Sequence, residues 1–165
     1  MALRSKHNQG FTIIEVVTVI LIIGVGIFSL VSLGSFLYKS IGEAKQYERA
    51  SLLASEGLEA VRGFRDNSDW NIDGLGTLAT GAAYHPEIDA AGTTTDWQLL
   101  PGPEIIDGFR RQVILGDVSR DPVSRDIESV YDPAHYDGDS RRVLVRVHWK
   151  NNSISLETYL TNWRR

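Results

Sequence analysis

Residues 38–65 read YKSIGEAKQYERASLLASEGLEAVRGFR. Tyr47, Ala50, Ala54, Leu58, Val61 and Phe64 recur there at spacings of three and four, one apolar stripe of an α-helix. Lys45, Glu48, Arg49, Glu56, Glu59 and Arg62 fall on its other faces as solvated charges. Upstream the pattern changes. From Phe11 to Leu37 the side chains are apolar or small on every face, and Glu15 is the only charged residue. A helix that is apolar all round and then striped must change environment along its length. The first part suits hydrocarbon or the inside of an assembly, and the second should cover a sheet.

The apolar part is about 27 residues, roughly 40 Å of helix against about 30 Å of bilayer hydrocarbon. Arg4 and Lys6 precede it, so the positive-inside rule keeps the amino terminus in the cytoplasm and sends the rest outward. A secretory signal has a shorter apolar region with a small-residue cleavage site after it, whereas here Gly10 stands before the run. Glu15 is what a plain signal anchor does not explain. An acid at the centre of a membrane helix costs about 2.5–3.5 kcal/mol, less toward the interface, and its default reading is functional. No Lys or Arg lies within one or two turns on its apolar side. A cut between Gly10 and Phe11 would create a partner: a new α-amino group four residues from Glu15, able to neutralise it in the same chain or in a neighbour.

The segment QGFTIIEVVTVILIIG resembles the class III signal of type IV pilins and type II secretion pseudopilins. The likeness lies in a short basic leader, Gly10 before the cut, Phe11 after it, Glu15 at the fifth mature position and the long apolar helix. The resemblance implies that a prepilin peptidase cleaves after Gly10 and methylates the amino group of Phe11. It implies that Glu15 pairs with the amino terminus of an adjacent subunit during assembly. Residues 1–10 would be a cytoplasmic leader, 11–38 a transmembrane or filament-core helix, and 39–165 an exported domain. Many major pilins have a proline about twenty-two residues into the mature helix, where this chain has Ser32. Gly24, Gly26 and Gly34 weaken the helix there instead, each by roughly 0.8–1 kcal/mol relative to alanine. The run LLASEGLEAVRGFRDNSDW resembles the helix end of minor pilins of the PilV-like and GspI-like kind. Partners implied are other pilin or pseudopilin subunits, an inner-membrane assembly platform, and lipid before assembly, at a bacterial inner membrane.

Downstream of Asp66 the composition turns to Asp, Gly, Ser and Thr, and residues 66–96 read as loop-rich, with short helical or strand pieces at most. Strand signals follow: DWQLL around Trp97, then GFRRQVILGDV, where Phe109, Arg111, Val113 and Leu115 alternate with Arg110, Gln112 and Ile114. In RRVLVRVHWKNNSISLETYLTNW, Val143, Val145, Val147 and Trp149 share a face opposite Leu144, Arg146 and His148. Asn151 and Asn152 tolerate positive φ, so Lys150 to Ser153 reads as a tight hairpin turn, with Ile154, Leu156, Thr158 and Leu160 lining the returning strand. The expected class is α+β: a long helix packed on an antiparallel sheet, the pilin-like lollipop of the family resemblance.

Catalytic signatures are missing from the sequence: it contains no G-x-S-x-G elbow, P-loop or H-E-x-x-H. Asp69, Asn71, Asp73 and Gly74 match the first half of an EF-hand loop, but Thr80 stands where the bidentate glutamate belongs. Asp69, Asn71 and Asp73 are therefore weak calcium candidates, and an exposed turn would use the same residues. Asp132, Asp137 and Asp139 form a second acidic cluster, and some relatives in the resembled family hold calcium in a carboxy-terminal loop. His85 and His135 read as loop residues and His148 as a strand residue, with no i, i+4 pair suited to zinc. Trp70, Trp97, Trp149 and Trp163 could line a binding face, but aromatic residues in a small sheet read first as core.

At 165 residues and a net charge of −4, with basic residues scattered, the chain lacks the footprint of a nucleic-acid binder. With no cysteine, it has no disulfides, and the domain must rest on its packed core. The favoured reading is a minor pilin of a type IV pilus, a structural subunit and not an enzyme. Its alternatives are a type II secretion pseudopilin or a membrane-anchored binding domain that never polymerises. Glu15 separates these: a filament has a use for it and an anchored monomer has none.

Overall fold

In the computed structural model, which describes residues 12–89 and 96–163, helix α1 (Ile13–Asn67) runs 55 residues without a break. Ser32 and the glycines around it do not interrupt it. The chain divides into two compact units that meet between Lys45 and Gln46, inside this helix. Within the first unit the apolar side chains point outward: Ile13, Ile22, Phe28, Leu30 and Phe36 are all exposed. Three of its hydroxyls are satisfied locally. Thr18, Ser29 and Ser35 each donate to the carbonyl four residues earlier, at 2.7, 2.8 and 3.0 Å. That is how a hydroxyl avoids being left unpaired in an apolar medium. By length and composition this helix can cross a membrane.

The second unit is α+β, as its periodicities suggest. Among the described residues six strands follow the helix: β1 (Ala83–Asp89), β2 (Asp96–Pro101), β3 (Glu104–Ile106), β4 (Phe109–Gly116), β5 (Ser140–Trp149) and β6 (Asn152–Thr161). All pairings are antiparallel, in the order β2-β1-β4-β5-β6, with β3 lying beside the start of β4. The alternation read in β4 and β5 is the observed one. Phe109, Arg111, Val113 and Leu115 are buried in β4, and Val143, Val145, Val147 and Trp149 in β5. These rows meet Ala50, Leu53, Ala54 and Val61 of α1 in one core. A fully buried valine contributes about 1.5–3 kcal/mol, so the β4–β5 rows anchor the unit.

Three details differ from the sequence reading. The buried face of α1 is broader than one stripe, adding Leu53, Gly57 and Ala60, while Tyr47 stays half exposed. A helix lying on a sheet covers a wider arc than two rows of side chains. Tyr47 instead stands edge-on to Trp149, ring centroids 4.8 Å apart at 89°, and its hydroxyl bonds Asn152 Oδ1 at 3.2 Å. The hairpin turn is shifted: Trp149 pairs with Asn152, so Lys150 and Asn151 form a two-residue loop, with Lys150 at φ 49°. His85 lies on β1, inside the stretch read as loop, with Nδ1 2.9 Å from the Gly102 carbonyl.

Candidate functional site

The first turn of α1 places Glu15 on the same face as Val19. Thr12 closes that turn. Its carbonyl accepts from the amides of Glu15 and Val16 at 3.1 and 3.2 Å, and its Oγ1 lies 3.4 Å from the Glu15 nitrogen. Thr12-Ile13-Ile14-Glu15 is the T-x-x-E spacing of a capping box, with the acid three residues past the cap. A carboxylate there is also favoured by the helix dipole. This local use of Glu15 is legible in the sequence, yet it is hidden behind the question of membrane cost. Gly10 and Phe11, the expected cleavage and methylation residues, lie outside the described residues.

In the second unit the acidic candidates serve as turn acceptors. Asp69 Oδ1 accepts from the Asn71 amide at 3.0 Å, and Asp73 Oδ1 accepts from the Asp69 amide at 2.7 Å. Asn71 lies on the same turn, just past the end of α1. Asp132 Oδ1 caps the 3-10 turn Pro133–His135 through the Ala134 amide at 2.9 Å. Asp137 binds Arg120 Nε at 2.5 Å, and Asp139 Oδ1 accepts from Asn162 Nδ2 at 3.1 Å. Among the described residues, no group of three His, Cys, Asp or Glu side chains is placed to hold a metal ion.

The excursion from β4 to β5 is tied by side chains that the sequence did not single out. Arg120 also donates to the Arg125 carbonyl and to Ser140 Oγ, both at 3.0 Å. His135 Nδ1 lies 2.9 Å from Glu128 Oε1 and 3.9 Å from Asp132. The hydrogen bond to Glu128 keeps His135 protonated above the usual histidine range, against a smaller opposing effect of burial. Burial would raise the Asp137 carboxyl, but bonds from Ser140 and Arg120 outweigh it and hold it below the usual range. Backbone amides of Ser124 and Val123 do the same for Asp121.

Arg111 is the one charged side chain sequence alternation put in the core row of β4, and there it lies, 2% exposed. Its Nε bonds Glu104 Oε1 at 2.7 Å, and its Nη1 donates to the Leu53 carbonyl of α1 at 3.1 Å. Glu56 approaches the same nitrogen at 3.2 Å. The arrangement fastens helix to sheet. Of the four tryptophans, Trp70 and Trp149 are buried, but Trp163 is 59% exposed, against its first reading as core. No family model, curated protein or solved structure matches the chain.

Proposed function

We propose that the chain is a structural subunit of a helical filament, a minor pilin of a type IV pilus, with a type II secretion pseudopilin as the nearest relative reading. In this account a prepilin peptidase cuts after Gly10 and methylates Phe11. The apolar start of α1 holds the subunit in a bacterial inner membrane until assembly. The observation that carries the reading is Glu15, a lone acid in the first turn of a helix whose first part leaves its large apolar side chains exposed. Such a helix needs a cover, from lipid first and from neighbouring helices later. Contacts between non-equivalent faces of successive subunits build open helical filaments when the rotation does not close. Pairing of Glu15 with a neighbour's new amino terminus sets the docking register, and apolar packing supplies the cohesion.

The test is the intact mass and amino-terminal peptide of the protein from cells with and without a prepilin peptidase. A chain that begins at Phe11 with one added methyl group, only when the peptidase is present, supports the proposal. A chain that keeps Met1 to Gly10 in both strains contradicts it. The contact between Thr12 and Glu15 favours a second reading, a membrane-anchored domain that never polymerises, in which Glu15 serves only to cap its own helix.

A further inference from the structure

The side of the sheet turned away from α1 gathers arginines that the sequence scatters. Arg110 alternates with the buried row of β4, and Arg142, Arg146 and His148 alternate with that of β5. Strand pairing sets them side by side. Arg110 lies opposite His148, Arg146 lies between Gln112 and Ser155, and Arg142 lies opposite Tyr159. We infer that this face binds an acidic polysaccharide, a chain of uronic acid rings whose carboxylates meet the arginines and whose hydroxyls meet the polar groups beside them.

The positive charge here is unanswered within the chain. Arg49, Arg62, Arg65, Arg111 and Arg120 each have a carboxylate partner. Among the described residues, Arg110, Arg142 and Arg146 make no ion pair and no side-chain hydrogen bond. On this side of β4, β5 and β6 they share the surface with a single acid, Glu157, whose Oε1 accepts from the Tyr159 hydroxyl at 3.2 Å. Three arginines against one glutamate make the face positive, on a chain whose net charge is −4.

Spacing and the groups in between select the ligand class. Arg110 and Arg146 are diagonal neighbours across β4 and β5, about 7–8 Å apart. Arg142 lies four residues from Arg146 along β5, about 13 Å away. Beside them stand the Gln112 amide and the hydroxyls of Ser153 and Ser155, whose side chains also make no hydrogen bond among the described residues. A guanidinium takes a carboxylate through two parallel N–H bonds, while amides and hydroxyls both give and accept bonds to sugar hydroxyls. Leu144, half-buried between Arg142 and Arg146, adds apolar footing for ring C–H groups. A nucleic acid suits the face less. Each of its strands carries a phosphate about every 3.4 Å, so arginines this far apart leave most of them unmatched. A lone inorganic anion would leave the amide and hydroxyls idle.

The inference stands apart from the filament reading, since an anchored monomer would carry the same face. The test is fluorescence anisotropy of a labelled galacturonic acid oligomer, titrated with the full chain in a neutral polyoxyethylene detergent at low salt. Saturable binding is expected, about tenfold weaker when Arg110→Gln and Arg146→Gln are combined. Both side chains face outward, so the double variant should unfold at the wild-type temperature. If it does not, Arg142→Gln at an exposed position of β5 takes its place, with about threefold loss expected. Arg62→Gln, which removes the same charge from α1, should bind as wild type does. No binding of the oligomer overturns the inference, and so does equal binding in wild type and the variant used, or an equal loss in Arg62→Gln. A neutral maltose oligomer, or a thymidine oligonucleotide of equal charge, binding as tightly as the galacturonate would overturn it too.

Discussion

Glu15 has two chemically distinct uses at the start of α1, and they differ in what can replace it. A capping box accepts glutamine in place of glutamate, whereas pairing with a charged amino group does not. Glu15→Gln should therefore leave the helix start intact, with unchanged helicity by circular dichroism in vesicles, while Glu15→Ala frays it. Arg111 poses a stability question instead. Removing it leaves Glu104 without its partner and takes from the Leu53 carbonyl a donor additional to its bond within α1, at a position where Arg111 itself is buried. Arg111→Ala should destabilise the second unit by about 3–5 kcal/mol in denaturant unfolding, and Arg111→Met by less, because the methionine keeps the packing. His135 adds a pH dependence. Its folded value lies above the unfolded one because Glu128 holds the protonated ring. The contact's contribution is thus fully present below the ordinary histidine pKa and is lost as pH rises through the raised value. An NMR titration should show His135 titrating above an ordinary histidine, and Glu128→Gln should bring it back down.

At the scale of elements, the packing of α1 on the sheet depends on a close approach at Gly57. A Cβ built there meets Val145 Cγ1 at 2.9 Å and Arg111 Cδ at 3.3 Å, and Val145 is fully buried with no room to turn aside. Leucine would gain helix propensity but overpack the interface, so Gly57→Leu should cost about 1–3 kcal/mol by chemical denaturation. Helix and sheet were readable where period and burial agree: β4 and β5 alternate cleanly because one face of each is dry. The hairpin between β5 and β6 shows where such reading stops. Moving the turn from Asn151-Asn152 to Lys150-Asn151 shifts the pairing by two residues, which keeps Val145 and Leu156 on the same face. Hydrophobic pattern cannot distinguish those registers, because the side-chain period of a strand is two. The turn joining β3 and β4 could have been found, since Ile106-Asp107-Gly108-Phe109 puts Asp-Gly between apolar neighbours, and both turn residues have positive φ. β1 escaped notice because Pro86 and the charges of Glu87 and Asp89 mask its alternation.

At the scale of the whole molecule, the α+β class followed from one change of period within a helix and one strong hairpin. The division of labour along α1 was legible for the same reason: an all-round apolar surface and a striped one need different surroundings. The basic side of the sheet was only half legible: Arg146 reads as outward-facing from its own strand, but its meeting with Arg110 of another strand depends on the β4–β5 register. Local patterns do not report such meetings, and a tryptophan in a small sheet reads as core until its exposure is seen. The central claim concerns what covers the start of α1. The most direct measurement is the amount of this chain, beginning at methylated Phe11, in filaments sheared from cells that express wild type or Glu15→Gln at equal levels. The account expects wild type in the filaments and Glu15→Gln cleaved normally but left in the membrane. Equal incorporation of the two would show that the charge of Glu15 has no part in assembly. Absence of both from the filaments would contradict the account altogether.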